Sequence, residues 1–263
     1  MTKIHSTAIV SNLAKIGDNV NIGPYCTVGD NVEIGDNSIL KSHIVIEGKT
    51  RIGKNNIIYP FTTIGMAPQD LKYSGENSEV IIGDDNSIRE NVTIHLGTKD
   101  GGMVTKIGNK CLLMVGVHIA HDCSVGNNVI MANNATLAGH VSVGDYVVIG
   151  GLSAIHQFVR IGESAMIGGM SGVESDVIPY GTVIGERAYL AGLNLVGLKR
   201  RNIDREDIHQ LRNFFKKVFV DLGDESFKSR VDIVSKEFNS KLVAYVVKFI
   251  ELESSRQFCQ IKK

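Results

Sequence analysis

The sequence contains no tryptophan, and it has only 4 prolines and 4 cysteines in 263 residues. Since no two cysteines form a CxxC pair, neither a zinc knuckle nor a dithiol redox motif is indicated. Lys+Arg and Asp+Glu number 28 each, and the resulting net charge of zero argues against a nucleic-acid binder or an anionic-membrane binder.

Long apolar segments are also absent from the sequence. No apolar run approaches the roughly 20 residues that span a bilayer. Residues 1–10 lack the apolar core of a signal peptide. We therefore expect a cytoplasmic protein that neither inserts stably into membranes nor binds nucleic acid.

A six-residue repeat dominates what is present. Every sixth residue is aliphatic from Ile4 to Ile64, and the series continues at Ile82 and again from Ile107 to Val173. This period fits neither a helix nor a single strand, but it fits a short strand followed by a turn. Three repeats make a triangular turn of about 18 residues, and only stacked turns can bury a core. The sequence therefore predicts a parallel β-helix over residues 1–180.

The repeat is interrupted twice, at about residues 66–80 and 95–106. Asp70 and Glu76 stand in the first interruption where aliphatic residues are expected, and the second adds seven residues between Ile94 and Ile107. We expect both segments to leave the coil as loops, and long loops on a compact solenoid are usually functional.

The chain changes character after the coil. We expect a transition over residues 181–203 and a helical C-terminal domain over residues 204–263 that caps the open end of the coil. Asp204 is a candidate N-cap, and further helices are expected at about 225–237 and 239–254. The first helix should bury one apolar stripe, which comprises Ile208, Leu211, Phe215, Val218 and Leu222.

Winding the chain at 18 residues per turn brings four of the 8 histidines to one edge: His118, His121, His140 and His156. Gly139 then lies above His121, and Gln157 lies above Gly139. A single histidine on the outside of a solenoid is usually just solvated, but four histidines together beside the loops indicate a functional site. His121 can act as a general base that Asp122 orients, if the chain turns there, and the Gly139 N–H can stabilise an oxyanion. Cys26, Cys111 and Cys123 occupy small inward positions, which indicates packing.

The repeat resembles that of the hexapeptide-repeat acyltransferases, whose fold is the left-handed parallel β-helix. Within that group, the chain resembles the UDP-N-acetylglucosamine acyltransferase family over nearly its whole length. Five segments carry this closer resemblance: Gln69–Tyr73, His118–Asp122, Ala132–His140, Ile155–Phe158 and Asn194–Arg201.

The resemblance implies transfer of an (R)-3-hydroxyacyl chain from acyl carrier protein to the 3-hydroxyl of UDP-N-acetylglucosamine, the first step of lipid A biosynthesis. It implies that His121 is the general base, that Asp122 assists it and that the Gly139 N–H holds the oxyanion, without a metal, a cofactor or an acyl-enzyme. The sugar and acyl sites would be lined by Asp70, Lys72, His118, His140, His156 and Gln157. The uridine diphosphate would be held by Asn194, Arg200 and Arg201.

Three further expectations follow from the same resemblance. The protein would be a homotrimer with sites between neighbouring coils, and the loop of Asp70 and Lys72 would serve the adjacent subunit. Gly169 would leave room for an acyl chain of about 14 carbons. A basic helix face could dock the carrier protein, and it comprises Arg205, His209, Arg212 and Lys216.

Three other functions on the same fold remain open from the sequence. A γ-type carbonic anhydrase would bind zinc through three histidines. Two of the histidines in that family are five residues apart, whereas His118 and His121 are three apart. An acetyl-CoA-dependent acetyltransferase would lack the Gln69–Tyr73 loop and the helical cap in this form. A structural or ice-binding solenoid would need a flat Thr-x-Thr ladder, which the sequence does not contain.

Overall fold

The computed structural model describes residues 1–221 and 224–262. Over most of this length the backbone winds into a coil in which residues 18 positions apart pair as neighbouring parallel strands, as Ile4 does with Ile22. A strand of two to four residues fills each side of the triangle, and a tight turn makes each corner. The predicted fold class, a left-handed parallel β-helix with a small C-terminal helical domain, is confirmed.

The strands of the described residues form three sheets, one along each side of the coil. The first sheet contains β1 (Lys3–Ile4), β4 (Asn21–Ile22), β7 (Ile39–Leu40), β10 (Ile57–Ile58), β13 (Ser87–Ile88), β16 (Leu112–Leu113), β19 (Ile130–Met131), β22 (Val148–Ile149), β25 (Met166–Ile167), β27 (Gly181–Ile184) and β28 (Tyr189–Leu193). The second contains β2 (Ile9–Val10), β5 (Thr27–Val28), β8 (Val45–Ile46), β11 (Thr63–Met66), β14 (Thr93–His95), β17 (His118–Ile119), β20 (Thr136–Leu137), β23 (Ala154–Ile155) and β26 (Gly172–Val173). The third contains β3 (Lys15–Ile16), β6 (Val32–Ile34), β9 (Lys49–Ile52), β12 (Glu79–Ile82), β15 (Val104–Ile107), β18 (Ser124–Val125), β21 (Ser142–Val143) and β24 (Arg160–Ile161).

The repeated aliphatic residues stack inside the coil and form its core. Ile22, Ile58 and Ile149 are each fully buried, and Cys26, Cys111 and Cys123 fill the small inward positions, as predicted. The first turn is different, because no earlier turn covers it. Ile4 is 50% exposed, and Val10 and Ile16 are only partly buried, so the aliphatic pattern produces incomplete burial there.

The corners carry residues in the left-handed backbone conformation, and two columns of them matter below. The asparagine corner joins the third sheet to the first, and its left-handed residues include Asn19, Asn37, Asn55, Asp85, Tyr146 and Ser164. The site corner joins the second sheet to the third, and its left-handed residues are Asp122, His140 and Phe158. The members of each column lie at the same place in successive turns.

Both predicted loops leave the coil and rejoin it in register. The first runs between β11 and β12, and the second runs between β14 and β15 and contains a short 3-10 turn, Lys99–Gly101. Ile82 pairs with Ile52 on one side and with Ile107 on the other, so the stacking of core residues continues past both loops.

The C-terminal part contains α1 (Leu195–Arg200), α2 (Arg205–Phe215), a π-helical turn (Lys216–Val220), α3 (Phe227–Ser235) and α4 (Lys241–Glu251). Asp204 caps α2 by accepting from the Glu206 N–H. The domain packs on the last turns of the coil, where the rings of Tyr180 and Tyr245 lie 6.1 Å apart. No helix among the described residues is long and apolar enough to cross a membrane.

The structure differs from the sequence expectations in three places. Residues 181–203 are more ordered than a transition, because β27 extends the first sheet, β28 pairs with it antiparallel and α1 follows. The predicted stripe is buried at Ile208, Leu211 and Val218, but the fully buried ring next to it belongs to Phe214, whereas Phe215 is only partly buried. Leu222, the last member of that stripe, lies outside the described residues.

Candidate active site

The centre of the site is a hydrogen-bonded pair of consecutive residues on the site corner. His121 Nδ1 lies 2.8 Å from Asp122 Oδ2, and the side chains are 15% and 0% exposed respectively. Neighbouring side chains on a strand would point in opposite directions, but Asp122 has a φ of 59° and the chain turns at this point. The left-handed turn therefore brings the two groups together, as the sequence interpretation required.

The carboxylate of Asp122 is held by the second loop. Thr98 donates its backbone N–H to the two Asp122 oxygens at 2.9 and 3.0 Å and its hydroxyl to Oδ2 at 2.6 Å. A carboxylate that accepts these bonds leaves His121 Nδ1 as a donor, so the proton of a neutral imidazole resides there and Nε2 carries a free lone pair. This arrangement suits Nε2 to accept a proton from a substrate.

Gly139 lies directly against the His121 ring. A Cβ at this position would come within 2.5 Å of His121 Cε1 and 2.7 Å of Nε2. Among the described residues the Gly139 N–H has no hydrogen-bond acceptor, although the residue is buried. An unpaired backbone donor beside the base is available to a developing negative charge.

Two more histidines lie beside β17. His118 Nδ1 is 2.7 Å from the hydroxyl of Thr93 on the preceding turn, and its ring meets that of His95 edge-on at 4.9 Å. His95 is only 7% exposed, and its Nδ1 has no partner among the described residues. The pKa of His95 is lowered to about 4, mainly by burial and in smaller part by the neighbouring His118 and His121. Burial also lowers the pKa of His118.

The site corner continues as an aromatic column above Asp122. His140 meets the His121 ring edge-on at 5.0 Å and stacks flat on the Phe158 ring at 4.4 Å. Burial lowers the pKa of His140, and the charge of Asp122 opposes that effect, as does the charge of Asp70 to a lesser extent. His140 therefore forms a wall of the site that is in contact with the His121 ring.

His156 and Gln157 form the next part of the same corner. Both are exposed, and both accept hydrogen bonds from Arg256 in the C-terminal tail. Gly169 lies further along the coil, and a Cβ there would meet only Gly151 O at 3.4 Å, which is an ordinary contact. The glycine therefore leaves open surface beside the coil.

The first loop approaches the second. Asp70 accepts the Lys72 N–H at 2.9 Å, and Lys72 Nζ lies 3.5 Å from an Asp100 oxygen with both side chains largely exposed. Gly101, the neighbour of Asp100, lies against the Asp122 carboxylate, so the first loop reaches the histidine side of its own chain, whereas the resemblance implied that it serves the adjacent subunit.

The structure does not bring the three predicted uridine diphosphate residues to the histidines of the same chain. Asn194 caps α1 and donates to Ser164 O at 2.9 Å, and the Arg201 guanidinium stacks over the Tyr146 ring at 3.9 Å. Both partners belong to the asparagine corner. Arg201 also pairs with Glu163 at 2.7 Å, whereas Arg200 is exposed on α1.

Three side chains of the site bring possible metal ligands close together. His121, Asp122 and His140 offer ligand atoms within 4.8 Å of one another. Zinc needs its ligands at about 2.0–2.2 Å around one point. Both Asp122 oxygens already accept hydrogen bonds, and Oδ2 faces His121 Nδ1. A zinc ion would have to break these bonds, so the donors fit a proton-transfer pair better than a metal site.

The sequence interpretation missed three residues of this site: Thr98, His95 and Arg256. Thr98 lies in the second loop and Arg256 lies in the C-terminal tail, and neither segment follows the six-residue repeat that places residues on the coil. His95 could have been found, because it lies next to the Ile94 repeat position at the start of the second loop.

Family models and known proteins agree with this geometry. The model of the bacterial transferase hexapeptide (six repeats) matches residues 13–48 and 105–139. The model of UDP N-acetylglucosamine O-acyltransferase, domain 2, matches residues 176–259. A coil of these repeats with the His121–Asp122 pair at one corner defines a hexapeptide-repeat acyltransferase.

Relatives over the full length give the particular family. The chain is 56% identical over 263 residues to the acyl-[acyl-carrier-protein]–UDP-N-acetylglucosamine O-acyltransferase of Rickettsia typhi, covering 100% of this chain and 99% of the relative. The UDP-N-acetylglucosamine acyltransferase from Campylobacter jejuni superposes with a TM-score of 0.93 at 40% identity, covering 99% and 100% of the two chains. The Francisella novicida enzyme of the same name superposes with a TM-score of 0.92 at 38% identity, covering 98% and 94%. The chain belongs to the UDP-N-acetylglucosamine O-acyltransferase family.

Proposed function

We propose that the chain transfers an (R)-3-hydroxyacyl group from acyl carrier protein to the 3-hydroxyl of UDP-N-acetylglucosamine, in the cytoplasm, as the first step of lipid A biosynthesis. The proposed reaction is supported mainly by one observation, the hydrogen-bonded pair of His121 and Asp122 with the unpaired Gly139 N–H beside it. The Rickettsia typhi relative, whose name gives an acyl carrier protein as donor and UDP-N-acetylglucosamine as acceptor, supports these two substrates.

The proposed reaction is a direct acyl transfer. His121 Nε2 removes the proton of the sugar hydroxyl as its oxygen attacks the thioester carbonyl. The carbonyl π electrons become an oxyanion, which the Gly139 N–H stabilises. The C–S bond then breaks, the ester carbonyl re-forms and the imidazolium protonates the departing thiolate of the carrier. Asp122 stabilises the imidazolium while it exists.

The buried thiols support direct attack over an acyl-enzyme. Burial raises the pKa of Cys123 to about 12 and that of Cys111 to about 11. A thiol with such a pKa is almost entirely protonated near neutral pH and is a poor nucleophile. The proposed reaction needs no cofactor, because both substrates bring their own reacting groups.

The side chains around the pair would bind the substrates. Asp70, Lys72 and His118 would contact the sugar, since they lie on the histidine side of the coil. His140, His156 and Gln157 would line the path of the acyl chain along the site corner. Gly169 lies between β25 and β26 on a different corner, so its open surface would meet an acyl chain held between neighbouring coils, where it would leave room for about 14 carbons. A Gly169→Met variant should then prefer donors several carbons shorter, which a competition assay with mixed chain lengths would measure.

We also propose that the protein acts as a homotrimer with sites between neighbouring coils. Asn194, Arg200 and Arg201 would bind the uridine diphosphate, because arginine suits phosphate by charge and geometry. They lie near the asparagine corner, whereas the base lies on the site corner. A site that uses both therefore needs a second copy of the chain.

Mixing two inactive variants tests the shared site. His121→Ala and Arg200→Ala homo-oligomers should each be inactive or weak, and co-folded mixtures should regain activity at sites that combine an intact base with an intact Arg200. Sedimentation should give a trimer. Mixtures without regained activity would mean that each chain carries a complete site.

The exposed basic face of Arg205, His209, Arg212 and Lys216 is our proposed docking surface for the acidic carrier protein. Three of these residues also line a cleft of about 780 Å³ beside α2. The variant Arg212→Glu should raise the KM for the carrier-bound donor and leave the KM for an acyl-pantetheine donor unchanged. An equal change for both donors would contradict docking at this face.

The central experiment measures acyl transfer from 3-hydroxyacyl carrier protein to UDP-N-acetylglucosamine. General-base catalysis typically contributes about 10²–10⁴-fold, so His121→Ala should lose activity in that range with the fold intact. His43→Ala is the matched control, because His43 is another left-handed corner histidine in an earlier turn. Full activity in His121→Ala would contradict the assignment of His121 as the base, and an inactive wild type would contradict the proposed function.

A further inference from the structure

The last residues of the chain return to the coil and extend its third sheet. Asp176 donates its N–H to Gln257 O at 2.7 Å, and Cys259 donates its N–H to Asp176 O at 2.9 Å, which makes a parallel bridge between Asp176 and Phe258. Arg160 binds the side chain of the same aspartate, since its Nε lies 2.7 Å from Asp176 Oδ2. The tail is therefore fixed to the coil by main-chain bonds at the turn that follows His156.

Arg256 reaches from this tail to the site corner. Its Nη2 lies 2.7 Å from His156 Nδ1, and its Nε donates to Gln157 O at 3.1 Å. These two acceptors are themselves 3.4 Å apart, so one planar guanidinium bonds both. We propose that Arg256 is a positioning residue that clamps the turn of His156 and Gln157 and thereby supports the wall behind the catalytic base.

The clamp determines the proton position on His156. An arginine side chain has no acceptor and does not lose its proton in proteins, so Arg256 must be the donor and His156 Nδ1 the acceptor. The ring is then neutral with its proton on Nε2 while the clamp holds. That N–H is the group which His156 can offer to a substrate acceptor.

The clamp also connects to the base through the aromatic column. Phe158 follows Gln157 in the left-handed conformation, with a φ of 65°. Its ring stacks on His140 at 4.4 Å, and His140 meets the His121 ring at 5.0 Å. A turn that loosens at Gln157 would release Phe158, and the ring of His121 would lose its backing through His140. This inference rests on the proposed function, because it assigns Arg256 to the same site.

Three variants of the full-length protein test the clamp. Arg256→Met removes the donors and keeps most of the aliphatic stem, whereas Arg256→Lys keeps the charge but lacks the planar fork that spans both acceptors. Arg187→Met is the control, since Arg187 pairs with the exposed Glu174 close to the same end of the coil. We measure kcat and KM for acyl transfer, the melting temperature and the 15N shifts of the His156 ring.

We expect Arg256→Met to lower kcat about 10-fold, as loss of support for a catalytic group does, without a matching loss of melting temperature. His156 Nδ1 should lose the hydrogen-bonded acceptor shift seen in the wild type. Arg256→Lys should recover part of both, and Arg187→Met should change neither. An unchanged kcat with an unchanged His156 spectrum would overturn the proposal, as would a loss of activity that merely follows the melting temperature. A wild type without acyl transfer would end the proposed function, and the clamp would then be judged on the His156 spectrum alone.

Discussion

The asparagine corner and the site corner turn the chain with the same left-handed backbone conformation, but different side chains occupy them. In the early turns of the asparagine corner, Asn19, Asn37 and Asn55 form a ladder. Asn37 Nδ2 lies 3.3 Å from Asn55 Oδ1, and Asn55 Nδ2 lies 3.1 Å from Asp85 Oδ1. Asn and Asp visit this conformation at low cost because their short polar side chains bond locally. In these early turns the corner is held by bonds between its own side chains.

At the site corner the same conformation is held by His140 and Phe158, which are bulky, together with Asp122. A residue held in such a sparsely populated region costs about 1–3 kcal/mol and persists only where its surroundings determine it. The surroundings here are the loop at Thr98 and the stacked rings. The comparison teaches that two corners with one backbone conformation differ in what holds their side chains, since Asp122 is bonded by Thr98 of the second loop rather than by its own column.

The largest expected effect comes from replacing the aspartate at each of the two corners. Asp122→Asn removes the carboxylate that orients His121 and stabilises its charged form, so acyl transfer should fall about 10²–10⁴-fold. Asp85→Asn makes the same change in the asparagine ladder and should leave activity within about 2-fold, since surface changes of this kind are mild. Steady-state kinetics on both proteins measure the difference, and comparable losses would show that the two corners are not distinct in function.

The next effect concerns the space that Gly139 provides. In Gly139→Ala the new methyl group would displace the His121 ring, because the Cβ falls 2.5 Å from Cε1. A displacement of about 1 Å at a catalytic group costs about 10²-fold in kcat. Gly151→Ala is the control, since its Cβ is no closer than 3.2 Å to Asn133 O. Kinetics and a crystal structure of Gly139→Ala would check the loss and the ring position, and a variant with normal kcat would refute the assignment.

A smaller effect tests the support from the second loop. Thr98→Val keeps the shape and removes the hydroxyl that lies 2.6 Å from Asp122 Oδ2. Hydrogen bonds to charged groups contribute about 1.5–3 kcal/mol, but the Thr98 N–H remains, so we expect a loss of about 10-fold in kcat. Thr105→Val removes the hydroxyl that accepts the Asp122 N–H instead, and it should act mainly on stability. A Thr98→Val enzyme with full kcat would mean that the backbone bonds alone hold Asp122.

The smallest effect is on stability rather than rate. The pKa of His95 is lowered from 6.5 to about 4 in the folded protein. Between these values the unfolded chain binds a proton that the folded chain does not, so this contribution is complete above pH 6.5 and is lost as the pH falls towards 4. The slope is at most about 1.4 kcal/mol per pH unit. Urea unfolding at several pH values should show a shallower slope for His95→Phe, and an unchanged slope would contradict the burial argument.

The sequence predicted the coil well because a six-residue repeat leaves few alternatives: Ile22 and Ile58 must point inward if the turns are to stack at all. The sequence also predicted that His121 and Gly139 are neighbours, since residues 18 apart lie side by side in adjacent turns. It could not predict the partners of Asp122 at Thr98 or those of His156 at Arg256. Those contacts depend on paths through a loop and a tail that have no period. The π-helical turn after Phe215 likewise has no signal in the helical pattern.

The register of the coil across its loops has a consequence for how such proteins diversify. Thirty positions separate Ile52 from its partner Ile82, against eighteen for Ile4 and Ile22, yet both pairs stack as neighbours. Closing a longer surface loop costs little, about 0.6 kcal/mol per doubling of its length. Chain inserted at these points can therefore change in length at little cost, provided that Thr98 keeps its bonds to Asp122. New recognition surfaces can be acquired there by insertion while the site corner keeps its geometry.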